Sequence, residues 1–273
     1  MASNNTIGIT LSGGGFRGIA HLGILKYIFE TGIKFTAISG ASVGSLVGAF
    51  IAQGYTPEEI FEFSKKEKFF SYSDFFKSRG GLFSTVVFER LIKKYIPHNS
   101  FEKLKIPLYV SVTDITHAQS LIFSEGELSL AVKSSCCFPL VFQPVLFKDN
   151  TYLCDGGLLD NFPVEQIRPI CKRVIGVNVD PIGTHEGALG YKAMATRIIR
   201  MITALKAVNA KALCDVYLQP DALNQYSTFE TQKMQEIFQL GYDYAKGFTN
   251  EFLALREEQS GGDTIKGTSA EKR

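Results

Sequence analysis

A serine between two glycines is the first feature of the chain that could do chemistry. Residues Gly40-Ala41-Ser42-Val43-Gly44 form a G-x-S-x-G pattern between a predicted strand and a predicted helix. This pattern is typical of a nucleophile elbow, a sharp turn that presents the serine hydroxyl at a helix N-terminus. The Val43 N–H would then point to where an oxyanion forms. The alternative is an ordinary helix start in which Ser42 is the N-cap.

A glycine-rich loop near the N-terminus is the second feature. Residues Gly13-Gly14-Gly15-Phe16-Arg17-Gly18 lie between a predicted strand and a predicted helix, and they match the dinucleotide-binding pattern G-x-G-x-x-G. That pattern also requires an acidic residue at the end of the next strand, but residues 35–57 contain no Asp or Glu. The sequence therefore disfavours nucleotide binding. Consecutive backbone N–H groups at a helix N-terminus would still stabilise a negative charge.

An aspartate in a tight turn is the third feature. Asp155-Gly156-Gly157 follows a predicted strand over residues 151–154. A carboxylate held in such a turn could act as the general base for a serine. A plain Asp-Gly turn is the alternative, but Leu158 and Leu159 follow it and indicate a return to the core.

Histidine is a common base for a serine nucleophile, so the four histidines of the chain matter here. Three of them lie in predicted loops, where a solvated side chain is the favoured interpretation: His98, His117 and His185. His21 lies one turn into the helix after the glycine loop, where packing is the favoured interpretation. Asp155 is left as the alternative base.

The elements that must position these motifs alternate between strand and helix, which predicts an α/β fold. The predicted strands cover residues 6–12, 35–39, 106–115, 119–123, 145–147, 151–154, 173–179 and 215–219. The predicted helices cover residues 17–31, 42–53, 189–213 and 231–255, with a further helix that begins after a capping box at Thr56. The uncharged stretch 35–57 contains too many polar residues for a membrane span and is predicted to be buried core. We expect one domain over residues 1–256 and a disordered polar tail over 257–273.

Composition excludes several classes of protein. The 273 residues carry 29 Lys and Arg against 27 Asp and Glu, a net charge of +2, which gives no electrostatic footprint for nucleic acid. Five cysteines, an odd number, indicate reduced core thiols instead of a disulfide framework. The N-terminus lacks the features of a secretory signal, and a cytoplasmic location is expected.

Together and in this order, the three motifs resemble the patatin-like phospholipase family. The resemblance spans about Ile7 to Asp180 and is supported by three further segments: 21–26, 134–139 with 144–145, and 161–164. It implies a three-layer α/β/α sandwich with a central, mostly parallel sheet. It also implies that Ser42 is the nucleophile and Asp155 its base, without a metal or other cofactor. The implied oxyanion hole combines backbone groups and one basic residue: Gly13, Gly14, Gly15, Val43 and Arg17.

The resemblance implies hydrolysis of carboxylic esters in phospholipids or lysophospholipids through an acyl-enzyme, with a pH profile that lacks an imidazole step. Three alternatives remain: an acyltransferase that uses the same residues, a nucleotide-binding module, and a catalytically silent lipid-binding protein. Aromatic residues and lysines between positions 61 and 76 form either a lipid-binding flap, with transient membrane-surface contact, or part of the core. Neither the oligomeric state nor a role for residues beyond Asp180 is predicted.

Overall fold

A central β-sheet organises the chain. The computed structural model describes residues 5–67, 85–184, 187–227 and 232–261. The parallel part of the sheet consists of β1 (Ile7–Leu11), β2 (Ala37–Ala41), β3 (Leu108–Asp114), β7 (Arg173–Val177) and β8 (Val216–Leu218). These strands have the order β3-β2-β1-β7-β8. β1 and β2 are buried at every position, which explains why they are short runs without charged residues.

Three antiparallel strands extend the sheet around β3: β4 (Gln119–Phe123), β5 (Val145–Leu146) and β6 (Tyr152–Asp155). β4 and β6 both pair with residues 112–114 of β3, so they must lie on opposite edges of it. β4 and β2 both pair with residues 110–111, so they also lie on opposite edges. It follows that β2 and β6 occupy the same edge of β3 in succession, and that their carboxyl ends meet.

Helices cover both faces of this sheet, and the predicted three-layer α/β/α fold is confirmed. The helices are α1 (Ile19–Glu30), α2 (Val43–Gln53), α3 (Pro57–Lys66), α4 (Val86–Tyr95), α5 (Leu128–Ser135), α6 (Gly157–Asp160), α7 (Tyr191–Ala210), α8 (Met234–Lys246) and α9 (Thr249–Gly261). Buried apolar side chains form two clusters. The larger includes α1, α2 and α8, and the smaller joins Ala207 of α7 to Ala37 of β2 and Val174 of β7.

Several predicted boundaries differ from the structure. The predicted helix over 231–255 is two helices, because α8 ends at Lys246 and α9 begins at Thr249. The chain turns between them at Gly247, although the apolar positions continue with helical spacing on either side of it. β2 lies two residues later than predicted, at Ala37–Ala41. In the predicted disordered tail, residues 257–261 are helical, and residues 262–273 lie outside the described part.

Other expectations concern single segments. The uncharged stretch 35–57 is confirmed as core, since it forms β2 and the almost fully buried α2. Thr56 and Glu59 form the predicted capping box. All five cysteines are free thiols. Among the described helices, none is long and apolar enough to cross a membrane.

The aromatic segment is part of the core where the structure describes it. Phe61 is buried against Phe238, with ring centroids 4.5 Å apart. Phe63 stacks on Tyr95 at 4.2 Å. The remainder of this segment, including Phe69, Phe70, Tyr72, Phe75 and Phe76, falls within residues 68–84, which lie outside the described residues, so the choice between flap and core stays open there.

Candidate active site

Ser42 occupies a strained turn between β2 and α2. Its backbone angles are φ 50° and ψ −127°, a conformation that costs free energy in any residue with a side chain and is common at functional sites. The glycines on either side are required by close backbone approaches. A Cβ at Gly44 would lie 2.2 Å from the Leu11 carbonyl oxygen, and one at Gly40 would lie 2.6 Å from the Gly44 backbone. The G-x-S-x-G segment therefore has the geometry of a nucleophile elbow.

Two serines hold this turn in place. The Ser42 N–H donates to Ser135 Oγ at 2.8 Å, and Ser135 Oγ donates to the Ser111 carbonyl oxygen at 2.7 Å. Ser45 Oγ donates to the Ser42 carbonyl oxygen at 2.6 Å. Ser135 lies at the end of α5 and Ser111 in β3, so the elbow is tied to two neighbouring elements.

Asp155 is the last residue of β6 and lies beside the elbow. It is only 2% exposed. Burial raises the pKa of its carboxyl to about 7, and the nearby charge of Asp180 adds to the increase. Interactions with the Ser42 hydroxyl and the Gly157 N–H oppose this increase in pKa. Oδ1 accepts a hydrogen bond from Gly157 N–H at 2.8 Å, whereas Oδ2 is buried with no aligned hydrogen-bond partner among the described residues. A carboxylate with a pKa near neutrality and a free oxygen beside a serine has the properties of a general base.

The described histidines have other structural roles. His21 is fully buried, its Nε2 lies 2.9 Å from the Ser12 carbonyl oxygen, and burial lowers its pKa to about 4, as expected for a packing residue. His98 contacts Gln53, and His117 contacts Asp114. His185 lies outside the described residues. In the part of the chain that the structure describes, no histidine lines the cavity over Ser42.

The glycine loop faces Ser42 across the cavity. The backbone N–H groups of Gly14, Gly15 and Val43 have no hydrogen-bond acceptor among the described residues, so they could donate to an oxyanion. Gly13 differs, since its N–H donates to Asn161 Oδ1 at 3.1 Å. A Cβ at Gly13 would lie 2.4 Å from the same oxygen, so this glycine lets the loop pack against Asn161. Sequence reasoning identified Asn161 only within a supporting segment.

Arg17 lies behind the loop. Arg17 is only 1% exposed. Its guanidinium forms an ion pair with Asp180, and its Nε donates to the Gly14 carbonyl oxygen at 3.4 Å. Asp180 also binds Arg200 of α7 at 2.9 Å. Arg17 is not one of the described residues that line the cavity. This position favours a role for Arg17 in holding the loop over direct contact with a developing charge.

A single cavity joins these groups, with a volume of about 60 Å³. Its walls are largely apolar: Leu46, Phe88, Phe138 and Phe142 line it beside Ser42 and Asp155. Arg200 and Thr203 of α7 also line it, so residues beyond Asp180 contribute to the site, a contribution that the sequence does not predict. The sequence gives no sign of this contribution, because α7 has the composition of an ordinary helix.

These features define a class of protein: a three-layer α/β fold with a nucleophile elbow facing a buried carboxylate and a glycine loop. The model of the patatin-like phospholipase family matches residues 9–168 of the chain. The chain belongs to this family.

Its relatives are much longer proteins. The chain is 26% identical over 281 residues to patatin-like phospholipase domain-containing protein 6 of Mus musculus, covering 90% of this chain and 21% of that protein. It is 28% identical over 285 residues to lysophospholipase NTE1 of Saccharomyces cerevisiae, covering 91% and 17%. The chain thus spans about a fifth of the length of these relatives.

Among solved structures, VipD from Legionella pneumophila has a similar fold. The TM-score is 0.54 at 16% sequence identity, and the match covers 91% of this chain and 67% of VipD. At this identity the similarity concerns the fold alone.

Proposed function

We propose that the chain hydrolyses carboxylic ester bonds of phospholipids or lysophospholipids, with Ser42 as nucleophile and Asp155 as general base. The observation that carries this proposal is the position of the strained Ser42 elbow beside a buried carboxyl with a pKa of about 7. The family membership and the names of the relatives, a patatin-like phospholipase and a lysophospholipase, support the substrate class.

The reaction proceeds in two halves. Asp155 accepts the Ser42 proton as Oγ attacks the ester carbonyl, and the tetrahedral intermediate collapses as the alcohol leaves with that proton. Water then attacks the acyl group on Ser42, Asp155 accepts a proton from it, and Ser42 Oγ recovers that proton as the fatty acid leaves. In both halves the negative oxygen forms opposite the N–H groups of Gly14, Gly15 and Val43. One such donor contributes about 3–4 kcal/mol to stabilisation of the transition state.

The shape and chemistry of the cavity suit an acyl group. Its walls beside Ser42 are formed by Leu46, Phe88, Phe138 and Phe142, which would contact a hydrocarbon chain and exclude water. Exclusion of water strengthens the interaction between the developing oxyanion and the backbone N–H groups.

The test is release of fatty acid from lysophosphatidylcholine and from diacyl phosphatidylcholine. We expect Ser42→Ala and Asp155→Asn to lower kcat by about 10⁴-fold or more, because each removes a partner in the same proton transfer. The matched controls are Ser260→Ala and Asp243→Asn, both on exposed positions of the C-terminal helices, and they should keep the activity of the wild type.

Two outcomes would contradict the proposal. Release of fatty acid by Ser42→Ala at the wild-type rate would exclude Ser42 as nucleophile. If a dilute added alcohol received most of the acyl group, the chain would be an acyltransferase that shares the same first half-reaction.

A further inference from the structure

A second, smaller cavity of about 20 Å³ adjoins the cavity over Ser42. The two cavities share the side chains of Val43 and Leu46 in their walls. Among the described residues that line the second cavity, Ser64 is the one with a polar side chain, and its Oγ donates to the Ile60 carbonyl oxygen at 2.8 Å. The second cavity is therefore an apolar space, and hydrocarbon is the ligand chemistry that suits it.

The second cavity follows one face of α2 away from Ser42. The residues of α2 that line it recur at helical spacing, which places them on one side of the helix: Val43, Leu46, Val47 and Phe50. Gly44 and Gly48 lie on another face of α2, which packs against the sheet. At 1.5 Å per residue, the apolar face extends about 10 Å from the elbow. The opposite walls come from α1, through Ile19 and Leu22, and from α3, through Ile60 and Ser64.

Aromatic residues hold the far end of this face. Phe50 is fully buried and packs edge-on against three rings, with centroid distances of 6.0 Å to Tyr55, 6.4 Å to Phe63 and 6.0 Å to Tyr95. Tyr55 Oη donates to the Tyr95 carbonyl oxygen at 2.7 Å, which fixes two of these residues to one another. The ring of Phe50 is thus a supported wall, because three neighbouring rings restrict its movement.

We propose that the acyl chain of the substrate runs along this face of α2 into the second cavity, and that the wall at Phe50 limits its length. The proposal rests on the function proposed above and names the part of the molecule that selects the acyl chain.

The position of the elbow supports this path. Ser42 directly precedes α2, so an acyl group on its Oγ begins at the end of the apolar face that leads to the second cavity. Leu46 lines both cavities, and a change of its rotamer would join them. A hydrocarbon chain that enters the second cavity leaves water and contacts apolar side chains on three helices.

The first test is hydrolysis of p-nitrophenyl esters from butyrate to palmitate by the full chain. Val47→Phe fills the second cavity, and the ratio of kcat/KM for palmitate to kcat/KM for butyrate should fall about tenfold or more below that of the wild type. Ile60→Ala enlarges the same cavity and should move the preferred ester towards longer chains. The matched control is Ile237→Ala, a buried isoleucine of α8 that lines neither cavity, and it should keep the chain-length profile of the wild type.

A binding measurement separates this proposal from the proposed function. Ser42→Ala serves as the parent protein, and calorimetry measures its affinity for fatty acids from butyric to palmitic acid. The affinity should rise with chain length until the path is full, at a shorter chain when Val47→Phe is added and at a longer chain when Ile60→Ala is added. This pattern without ester hydrolysis by the wild type would contradict the proposed function and leave the acyl path standing.

Two results would overturn the proposal. One is ester hydrolysis with the same chain-length profile in the wild type, Val47→Phe and Ile60→Ala. The other is a change in kcat/KM by the same factor for every ester, which would show that the second cavity affects packing alone. The two variants change the cavity in opposite directions, so Ile60→Ala carries the test if thermal denaturation shows that Val47→Phe does not fold.

Discussion

Asp155 has to remain charged while it is buried. Removal of its carboxyl from water raises the pKa to about 7, and the Gly157 N–H bound to Oδ1 opposes that increase. The result is a base that is half ionised near neutral pH, which an exposed aspartate could not be, since its pKa is close to 4. A base with this pKa can accept a proton from serine and return it to a leaving alcohol.

A pH profile tests this property of Asp155. Because only the ionised carboxylate can accept the Ser42 proton, kcat/KM for a soluble ester should rise with pH through a step near 7 and then level off. The sequence predicts a profile without an imidazole step, yet a step from this carboxyl would fall at a similar pH. Temperature distinguishes the two, since the pKa of a carboxyl changes little on warming whereas that of an imidazole falls. A midpoint that falls on warming as an imidazole pKa does would contradict the assignment of Asp155.

At the scale of elements, the site depends on the arrangement around β3. β2 and β6 follow one another along one edge of β3, with Ala41 paired to Ser111 and Asp155 paired to Val112. The register thus brings Ser42, directly after β2, next to the end of β6. A shift of β6 by one residue would turn the Asp155 side chain to the other face of the sheet.

How much could be predicted from the sequence follows from this arrangement. The elbow, the glycine loop and the Asp-Gly-Gly turn are local patterns, so their residue types reveal them. The contribution of Arg200 could not be predicted, because it depends on how α7 packs over the sheet. Asn161 belongs to a segment that supports the family resemblance. Its contact with Gly13, however, spans 148 positions along the chain and is visible only in the folded structure.

Gly44→Ala tests the close packing of the elbow against β1. The added Cβ would lie 2.2 Å from the Leu11 carbonyl oxygen, so α2 or β1 must shift. We expect a loss of about 1–3 kcal/mol in the free energy of unfolding, measured by chemical denaturation, together with lower activity. Gly190→Ala is the control, because its Cβ would meet no atom within 4 Å and should leave both quantities unchanged. Equal stability of the two variants would contradict the described packing.

At the scale of the whole molecule, a buried group of charges links the two helical layers. Asp180 follows β7 and binds Arg17, which precedes α1 on one face of the sheet. It also binds Arg200 of α7 from the other layer. The glycine loop and one wall of the cavity are therefore held by the same carboxylate.

Asp180→Asn tests this link. The substitution leaves the buried Arg17 guanidinium without its compensating charge, and we expect a loss of about 3–5 kcal/mol in the free energy of unfolding. Asp243→Asn removes the exposed ion pair with Lys246 and should leave stability unchanged. Thermal denaturation of both variants beside the wild type measures the difference. If the two losses were equal, the charges around Asp180 would not stabilise the fold in this way.

The central claim is that Asp155 activates Ser42, and labelling with a fluorophosphonate tests it most directly. Intact mass and peptide mapping of the wild type should show one adduct, on Ser42, and Ser42→Ala should show none. Asp155→Asn should still fold but react about 10²–10⁴-fold more slowly, because the serine has lost its base. Labelling of Asp155→Asn at the wild-type rate, or no adduct on folded wild-type protein, would contradict the account.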